Sequence, residues 1–101
     1  MSTFVLRLKG PRPDFATTLT DDEMQVMGQH AAHWQRYVES GQMVVFGPVA
    51  GDGGSWGLAV IESEDEDEIR AHAAEDPVVT TGTGTFEISS MLMGFVRPSS
   101  G

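Results

Sequence analysis

The order in which strand and helix patterns follow one another constrains the fold of this chain more than any other feature. Apolar patterns typical of strands occupy residues 4–9, 43–46, 56–61 and 86–95. Helical patterns lie between the first and second strands and between the third and fourth. The predicted order is therefore β-α-β-β-α-β, which is the ferredoxin-like arrangement of α+β proteins.

Capping signals delimit the first helix. Thr20 can cap the free amides at its start, Glu23 can reach back to Thr20, and Gly41 supplies the left-handed residue that ends a helix. The helical repeat places a set of apolar side chains on one face and mainly polar side chains opposite them. The predicted buried stripe consists of Met24, Met27, Ala31, Trp34 and Val38.

The second helix carries a similar signal. Ser63 and Glu66 repeat the capping box, so we expect a helix that begins at Ser63 and runs to about Glu75. Pro77 then stops the helix, because the residue before a proline is disfavoured in helical geometry.

The length of the chain indicates one domain. A chain of 101 residues, of which 40% are hydrophobic, can bury a core without metal ions or disulfides. We expect a single domain over residues 1–101, with its core at about 3–97 and a frayed tail over 98–101.

The acidic composition narrows the class of partner. Fifteen acidic residues against six basic ones give a formal charge of −9, which repels a phosphate backbone, so we expect no nucleic acid. The absence of cysteine excludes disulfides and thiolate metal sites. The sequence shows no apolar run of membrane-spanning length and no signal peptide, so we expect a cytoplasmic protein without a membrane partner.

The predicted strands carry more apolar residues than one sheet face can hold. Two helices can cover one face of a four-stranded sheet, which leaves apolar positions on the other face. A homodimer joined through the helix-free face would bury them, so we expect a second copy of this chain as partner. The residues are Val44 and Phe46 on one side with Met43 and Val45 on the other, and Met91 and Met93 opposite Leu92.

Two residues near the predicted buried face could carry chemistry. His30 lies on the shoulder of the apolar stripe, where an imidazole could act as a general base. Asp76 follows the second helix in an apolar neighbourhood, where a carboxylate could orient an imidazole, as in a catalytic triad. Each also has a structural interpretation, as a hydrogen-bonded core histidine and as a turn-forming Asp-Pro.

A metal site is a further interpretation of the same region. His30 and His33 stand at a spacing with which two imidazoles can share an ion, and His72 or Asp76 could complete the set of ligands. The sequence fixes no third ligand. We therefore predict no metal site and no cofactor.

Several short motifs resemble the YCII-related (YciI-like) family. They occur in the order and at the spacing of that family over roughly residues 3–97, nearly the whole chain. The motifs are His30-Ala31-Ala32-His33, then Gly41 after seven further residues, Gly47-Pro48, Gly57, Glu62-Ser63-Glu64 and Asp76-Pro77-Val78-Val79.

The resemblance implies a ferredoxin-like dimeric α+β barrel with a His–Asp pair in a cleft between the helices and the sheet. On this sequence the pair corresponds to His30 and Asp76. Elimination or dehalogenation-type chemistry has been suggested for the family. The chain departs from the family's patterns twice. Phe46-Gly47-Pro48-Val49 stands in place of the Asp-Gly-Pro-Phe signature of one related branch, and Ser89-Ser90-Met91 lacks the fourth-strand proline of many members.

The residues and the resemblance together predict a small cofactor-independent lyase or isomerase. His30 would remove a proton from a small organic molecule while Asp76 orients the imidazole. The alternative is a non-catalytic dimer that uses the same cleft to bind or sense a small molecule. The expected substrate-binding residues are His33, Trp34, Tyr37 and Phe46.

Overall fold

One antiparallel sheet forms the centre of the fold in the computed structural model, which describes residues 2–95. Its strands are β1 (Ser2–Lys9), β2 (Met43–Gly51), β3 (Gly54–Ser63) and β4 (Thr85–Ser90). They lie in the order β2-β3-β1-β4, so that β1 pairs with both β3 and β4. This sheet confirms the predicted ferredoxin-like arrangement.

Helical segments make the two crossovers. A 3₁₀ turn (Phe15–Thr17) and α1 (Asp21–Ser40) join β1 to β2, whereas α2 (Glu66–Ala74) and α3 (Pro77–Thr80) join β3 to β4. In the part of the chain that the structure describes, no helix is both long enough and apolar enough to cross a membrane.

The predicted ends of α1 are confirmed. The Thr20 hydroxyl accepts from the Glu23 amide at 3.2 Å, and the Glu23 carboxylate accepts from the Thr20 amide at 2.9 Å. Gly41 ends the helix at a φ of 84°, which is the left-handed region that glycine adopts without strain.

The buried stripe of α1 differs from the prediction. His30, Trp34 and Tyr37 are the buried residues of the helix, whereas Met24 is 58% exposed and Val38 is 43% exposed. Ala31 is also exposed, and Met27 is half-buried. The helix is rotated toward its polar aromatic residues, because each of those three side chains finds a hydrogen-bond partner inside the protein.

The start of α2 was predicted too early. Ser63 is the last residue of β3, where it pairs with Ser2, and its buried hydroxyl accepts from the Asp65 amide at 3.0 Å. Asp65 is the N-cap residue, and its carboxylate accepts from the Glu68 amide. Because pairing with β1 extends β3 to Ser63, α2 begins only at Glu66.

The alternation predicted for residues 43–46 was also wrong. A β-bulge in β2 sets Met43 opposite Ile61 and Val45 opposite Val60. Val44 is the extra residue of the bulge, so the alternation of side chains between the two sheet faces changes at this point. Met43 thus points into the core together with Phe46, and Val45 points to the other face.

The last strand is shorter than predicted. β4 ends at Ser90, which pairs with Phe4, rather than continuing to Phe95, and the Met91 amide makes one further bond to the Thr3 carbonyl at 2.9 Å. Residues 91–95 are exposed, and Leu92 is fully so. The predicted tail at 98–101 lies outside the described residues.

The core lies between the helices and one face of the sheet. Alternation along β1 sends Phe4, Leu6 and Leu8 to this side, and all three are buried. Their neighbours in the core are Trp34, Tyr37, Met43, Ala59, Ile61, Ile69 and Ala73, with Phe46, Phe86 and Ile88 packed at the margin.

Candidate functional site

A hydrogen bond between His30 and Asp76 joins the middle of α1 to the start of α3. The distance from His30 Nδ1 to Asp76 Oδ2 is 2.6 Å, so the contact predicted between these two side chains is confirmed. Asp76 is fully buried, and His30 is 6% exposed. The pair therefore lies inside the protein, with the imidazole at its outer end.

Local sequence fixes Asp76 in place. Its carboxylate accepts from the Val78 amide at 2.9 Å through Oδ1 and thereby caps α3, and Pro77 occupies the first helical turn, where its missing N–H costs nothing. Pro77 thus begins a short helix as well as ending the preceding segment. The cap directs Oδ2 toward α1.

Trp34 completes the set of donors to Asp76. Its indole N–H donates to Oδ2 at 2.7 Å, beside the bond from His30. Burial favours the neutral acid, but the hydrogen bonds from His30, the Val78 amide and Trp34 outweigh it, so the pKa of Asp76 is lowered. Asp76 is therefore a carboxylate at neutral pH.

The carboxylate determines which nitrogen of His30 carries the proton. Because a carboxylate only accepts, the shared proton lies on Nδ1, and the neutral imidazole has its lone pair on Nε2. The ring lies between Phe46 and Phe86, at centroid distances of 5.2 and 6.1 Å. Within residues 2–95, no group makes a hydrogen bond to Nε2. This arrangement leaves the nitrogen available to accept a proton.

A cavity of about 380 Å³ lies beside His30, between α1, the 3₁₀ turn and the sheet. Phe46 and Phe86 form part of its wall from the sheet, and the buried Phe15 covers it from the 3₁₀ turn. The other lining residues are Leu8, Gly10, Ala16, Leu19, Met27, Ala31, Gly47, Pro48, Ser55, Trp56, Gly57, Leu58 and Ala59.

The segment that carries Phe15 is attached at two points. Arg12 makes a bidentate ion pair with Glu23 on α1, with Nη1–Oε2 and Nη2–Oε1 distances of 2.9 and 2.7 Å. The hydrogen bond from Arg12 is the main reason that the pKa of Glu23 falls to about 2. On the other side, Ser55 of β3 donates to the Pro13 carbonyl at 3.1 Å and accepts from the Ala16 amide at 3.2 Å.

The predicted site residues divide into two groups. Among the described residues that line the cavity are His30 and Phe46, but not His33, Trp34 or Tyr37. That those three contact a ligand stays a prediction; the His33 Nε2, the Trp34 indole N–H and the Tyr37 hydroxyl are bonded within the protein. Trp34 is connected to the His30–Asp76 pair (the dyad) through its hydrogen bond to the Asp76 carboxylate.

His33 and Tyr37 bind α2 instead. The His33 Nε2 donates to the His72 carbonyl at 2.7 Å, and the His72 Nε2 donates to the His33 carbonyl at the same distance. The Tyr37 hydroxyl donates to Glu68 at 2.9 Å. Burial lowers the pKa of His72, which keeps this imidazole neutral. These side chains connect two helices.

The arrangement of histidines also bears on the metal interpretation. His30 directs Nδ1 to Asp76, while His33 directs Nε2 to a backbone carbonyl. In residues 2–95, no group of three or more His, Cys, Asp or Glu side chains is placed to hold a metal ion.

Sequence reasoning missed Phe15 and Phe86 as walls of the cavity. Phe86 alternates toward the helices along β4, which is a signal of burial but not of a cavity. Phe15 is the single aromatic residue in a proline-rich connection, and that placement could have indicated a side chain that folds back onto the core.

Comparison with known proteins identifies a family and solved structures of the same fold. The family model described as YCII-related domain matches residues 3–91. No curated protein matches the chain significantly. The structure of 5-chloro-2-hydroxyhydroquinone dehydrochlorinase from Burkholderia phenoliruptrix AC1100, in complex with 2,5-dihydroxybenzoquinone, is similar with a TM-score of 0.64 and 18% sequence identity. The alignment covers 90% of this chain and 95% of that protein, and it shows a shared fold.

Proposed function

Because this chain belongs to the YCII-related family, we propose that it is an enzyme that removes a proton from a compact organic molecule. The observation that carries the proposal is the position of His30, whose Nδ1 is bonded to a buried carboxylate while the ring lines the cavity. The structural relative is a dehydrochlorinase, which adds support for small-molecule chemistry on this fold.

The proposed step is general base catalysis by His30. Nε2 takes a proton from a substrate carbon that is acidified by a neighbouring carbonyl or conjugated system, and the C–H electron pair enters that system. In a lyase reaction, the electrons then expel a leaving group from the adjacent carbon. In an isomerase reaction, the imidazolium returns the proton to a different carbon.

Asp76 and Trp34 act through His30 in this proposal. The ionised carboxylate holds the Nδ1–H tautomer and stabilises the imidazolium formed when Nε2 takes the proton. The indole N–H of Trp34 fixes the carboxylate oxygen that faces His30. Phe46 contacts the bound molecule, since its ring lines the cavity next to the imidazole.

The experiment is deuterium exchange into small cyclic carbonyl compounds and phenols in D₂O, followed by proton NMR. We expect His30→Asn to reduce exchange by about 10²-fold or more, whereas Gln29→Ala, on the exposed side of α1, should match the wild type. If the wild-type protein binds such compounds beside His30 but exchanges no carbon-bound proton, the non-catalytic binding alternative replaces the enzyme.

A second copy of the chain is the partner that we propose. Alternation places Val5, Val45, Leu58 and Val60 on the face of the sheet opposite the helices. Val45 is 49% exposed there, so the apolar surface would be buried by a like surface.

Sedimentation at micromolar concentration tests this dimer. The expected mass is twice 10.9 kDa. Val45→Lys should shift the protein toward the monomer, whereas Val38→Lys, at a similarly exposed position on α1, should not. A wild-type monomer under these conditions would contradict the proposal.

A further inference from the structure

We propose that the cavity beside His30 selects uncharged ligands of low polarity, which offer one hydrogen-bonding group to Nε2, and discriminates against carboxylates and phosphates. The inference deepens the proposed function and rests on it for the choice of cavity. Its basis is the composition of the cavity wall and the charge placed behind His30.

The wall offers no charge to compensate a charged ligand. Among the described residues that line the cavity, none is Asp, Glu, Lys or Arg. Arg12, on the segment that carries Phe15, does not line the cavity and is held in its bidentate ion pair with Glu23. A carboxylate that entered would lose its hydration without gaining a cationic partner, which is strongly unfavourable.

Few polar side chains of the wall are available for hydrogen bonding. The Ser55 hydroxyl already donates to Pro13 and accepts from Ala16. Trp56 alternates to the opposite side of the sheet, where the Arg7 guanidinium stacks on its ring at 4.7 Å. His30 therefore supplies the main polar contact, and the rest of a ligand must suit an apolar wall.

The negative charge of Asp76 beside His30 also disfavours the binding of anions. Asp76 is ionised directly behind the ring, so an anion at Nε2 of the neutral imidazole would meet a negative charge rather than a positive one. The formal charge of the whole chain is −9, which lowers the average concentration of anions around the protein.

The shape of the cavity further defines the ligand. A volume of about 380 Å³ lies near the lower end of the range typical of small-molecule sites. The rings of Phe15, Phe46 and Phe86 border it, and aromatic faces favour flat partners. The ligand class is thus a compact, flat, uncharged molecule with one acidic or hydrogen-bonding group.

The test compares benzamide with benzoate, which have nearly the same shape and differ in charge. The ring signals of His30 are followed by NMR while each probe is titrated into the full chain at pH 7.5. We expect benzamide to perturb these signals and to bind at least tenfold more tightly than benzoate. Equal or tighter binding of benzoate, or no effect of either probe on His30, would overturn the inference.

A pair of charge insertions on α1 sharpens the test. Met27→Lys places a cation in the wall of the cavity, and we expect it to improve benzoate binding at least tenfold. Met24→Lys adds the same charge at an exposed position one turn earlier, and it should leave the preference for benzamide unchanged. Equal gains in both variants would show a general charge effect and would count against the inference.

The outcome is separable from that of the proposed function. A protein that prefers benzamide at His30 but exchanges no carbon-bound proton would refute the proposed catalysis and leave this selectivity standing. A protein that turns over a substrate but binds benzoate as well as benzamide would refute the selectivity alone.

Discussion

His33 and His72 lie face to face between α1 and α2, with their ring centroids 3.8 Å apart and their planes inclined by 13°. Each Nε2 donates to the backbone carbonyl of the other residue. The edge of this stack meets the ring of Trp34, whose centroid is 4.6 Å from that of His72. The histidine pair thus fixes the indole that binds Asp76.

Replacing His72 by leucine should lower the free energy of unfolding by about 0.5–1.5 kcal/mol, because the His33 carbonyl loses a partly buried donor. Urea unfolding at pH 8 measures this difference. Arg70→Ala is the control, since it removes only the half-exposed ion pair with Glu66 on the same helix. An equal effect of the two substitutions would contradict the assigned role of His72.

The pH dependence of that difference has a defined sign. Burial lowers the pKa of His72 below its usual 6.5, so the unfolded chain takes up a proton first as the pH falls. The stability advantage of the wild type over His72→Leu should therefore be complete above about pH 6.5 and should shrink at lower pH. An advantage that grows on acidification would have the wrong sign.

Trp34→Phe should raise the pKa of Asp76, because it removes one of the hydrogen bonds that hold this pKa low. Carbon-13 NMR of the Asp76 carboxyl group measures the shift directly. Acid unfolding should then begin at a higher pH than in the wild type, since the stability linked to the ionised carboxylate is lost as the pH falls through its folded-state pKa. Trp56→Phe, which removes the other indole, should leave the Asp76 titration unchanged.

In a Trp34→Phe background, Asp76→Asn should reverse the tautomer of His30. Without the indole N–H, which donates to the same Oδ2 as His30, the asparagine oxygen can keep the bond from the Val78 amide while its NH2 group donates to Nδ1. The imidazole proton then moves to Nε2. Nitrogen-15 NMR of the ring distinguishes the two tautomers. Asp65→Asn in the same background is the matched control, because asparagine is a good N-cap for α2. An unchanged His30 tautomer in the Trp34→Phe, Asp76→Asn protein would show that the carboxylate does not set it.

Arg12→Gln should raise the pKa of Glu23 from about 2 toward 4.5, because the main hydrogen bond that lowers it is lost. The segment that carries Phe15 should also exchange its amide hydrogens faster, since one of its two attachments is gone. Lys9→Gln removes an exposed ion pair with Glu87 and should not change exchange in that segment. Equal exchange in all three proteins would mean that Arg12 does not hold the cover of the cavity.

Periodicity and capping signals predicted the fold correctly because they depend on neighbouring residues. The capping box at Thr20 and the left-handed Gly41 are local features, and the structure contains both. The bulge at Val44 and the end of β4 at Ser90 depend on pairing between distant strands, which no local pattern specifies. Sequence analysis therefore gave the order of elements but misplaced some of their limits.

Part of the candidate site was also predictable from patterns of neighbouring residues. His30 and Asp76 stood out as polar residues beside apolar patterns, and their contact followed from the packing of the helices on the sheet. Trp34 was correctly expected in the buried stripe, but the hydrogen bonds that Trp34 and Tyr37 make inside the protein were not predictable from a local pattern. Their partners, Asp76 and Glu68, lie more than thirty residues away in the sequence.

The carboxylate of Asp76 performs two tasks at once, since Oδ1 caps α3 and Oδ2 holds His30. A substitution at Asp76 therefore changes the start of α3 and the setting of His30 together. Leu19 and Met27 line the cavity without such a second task. The size and polarity of the cavity can thus be altered through its wall while the His30–Asp76 pair stays intact.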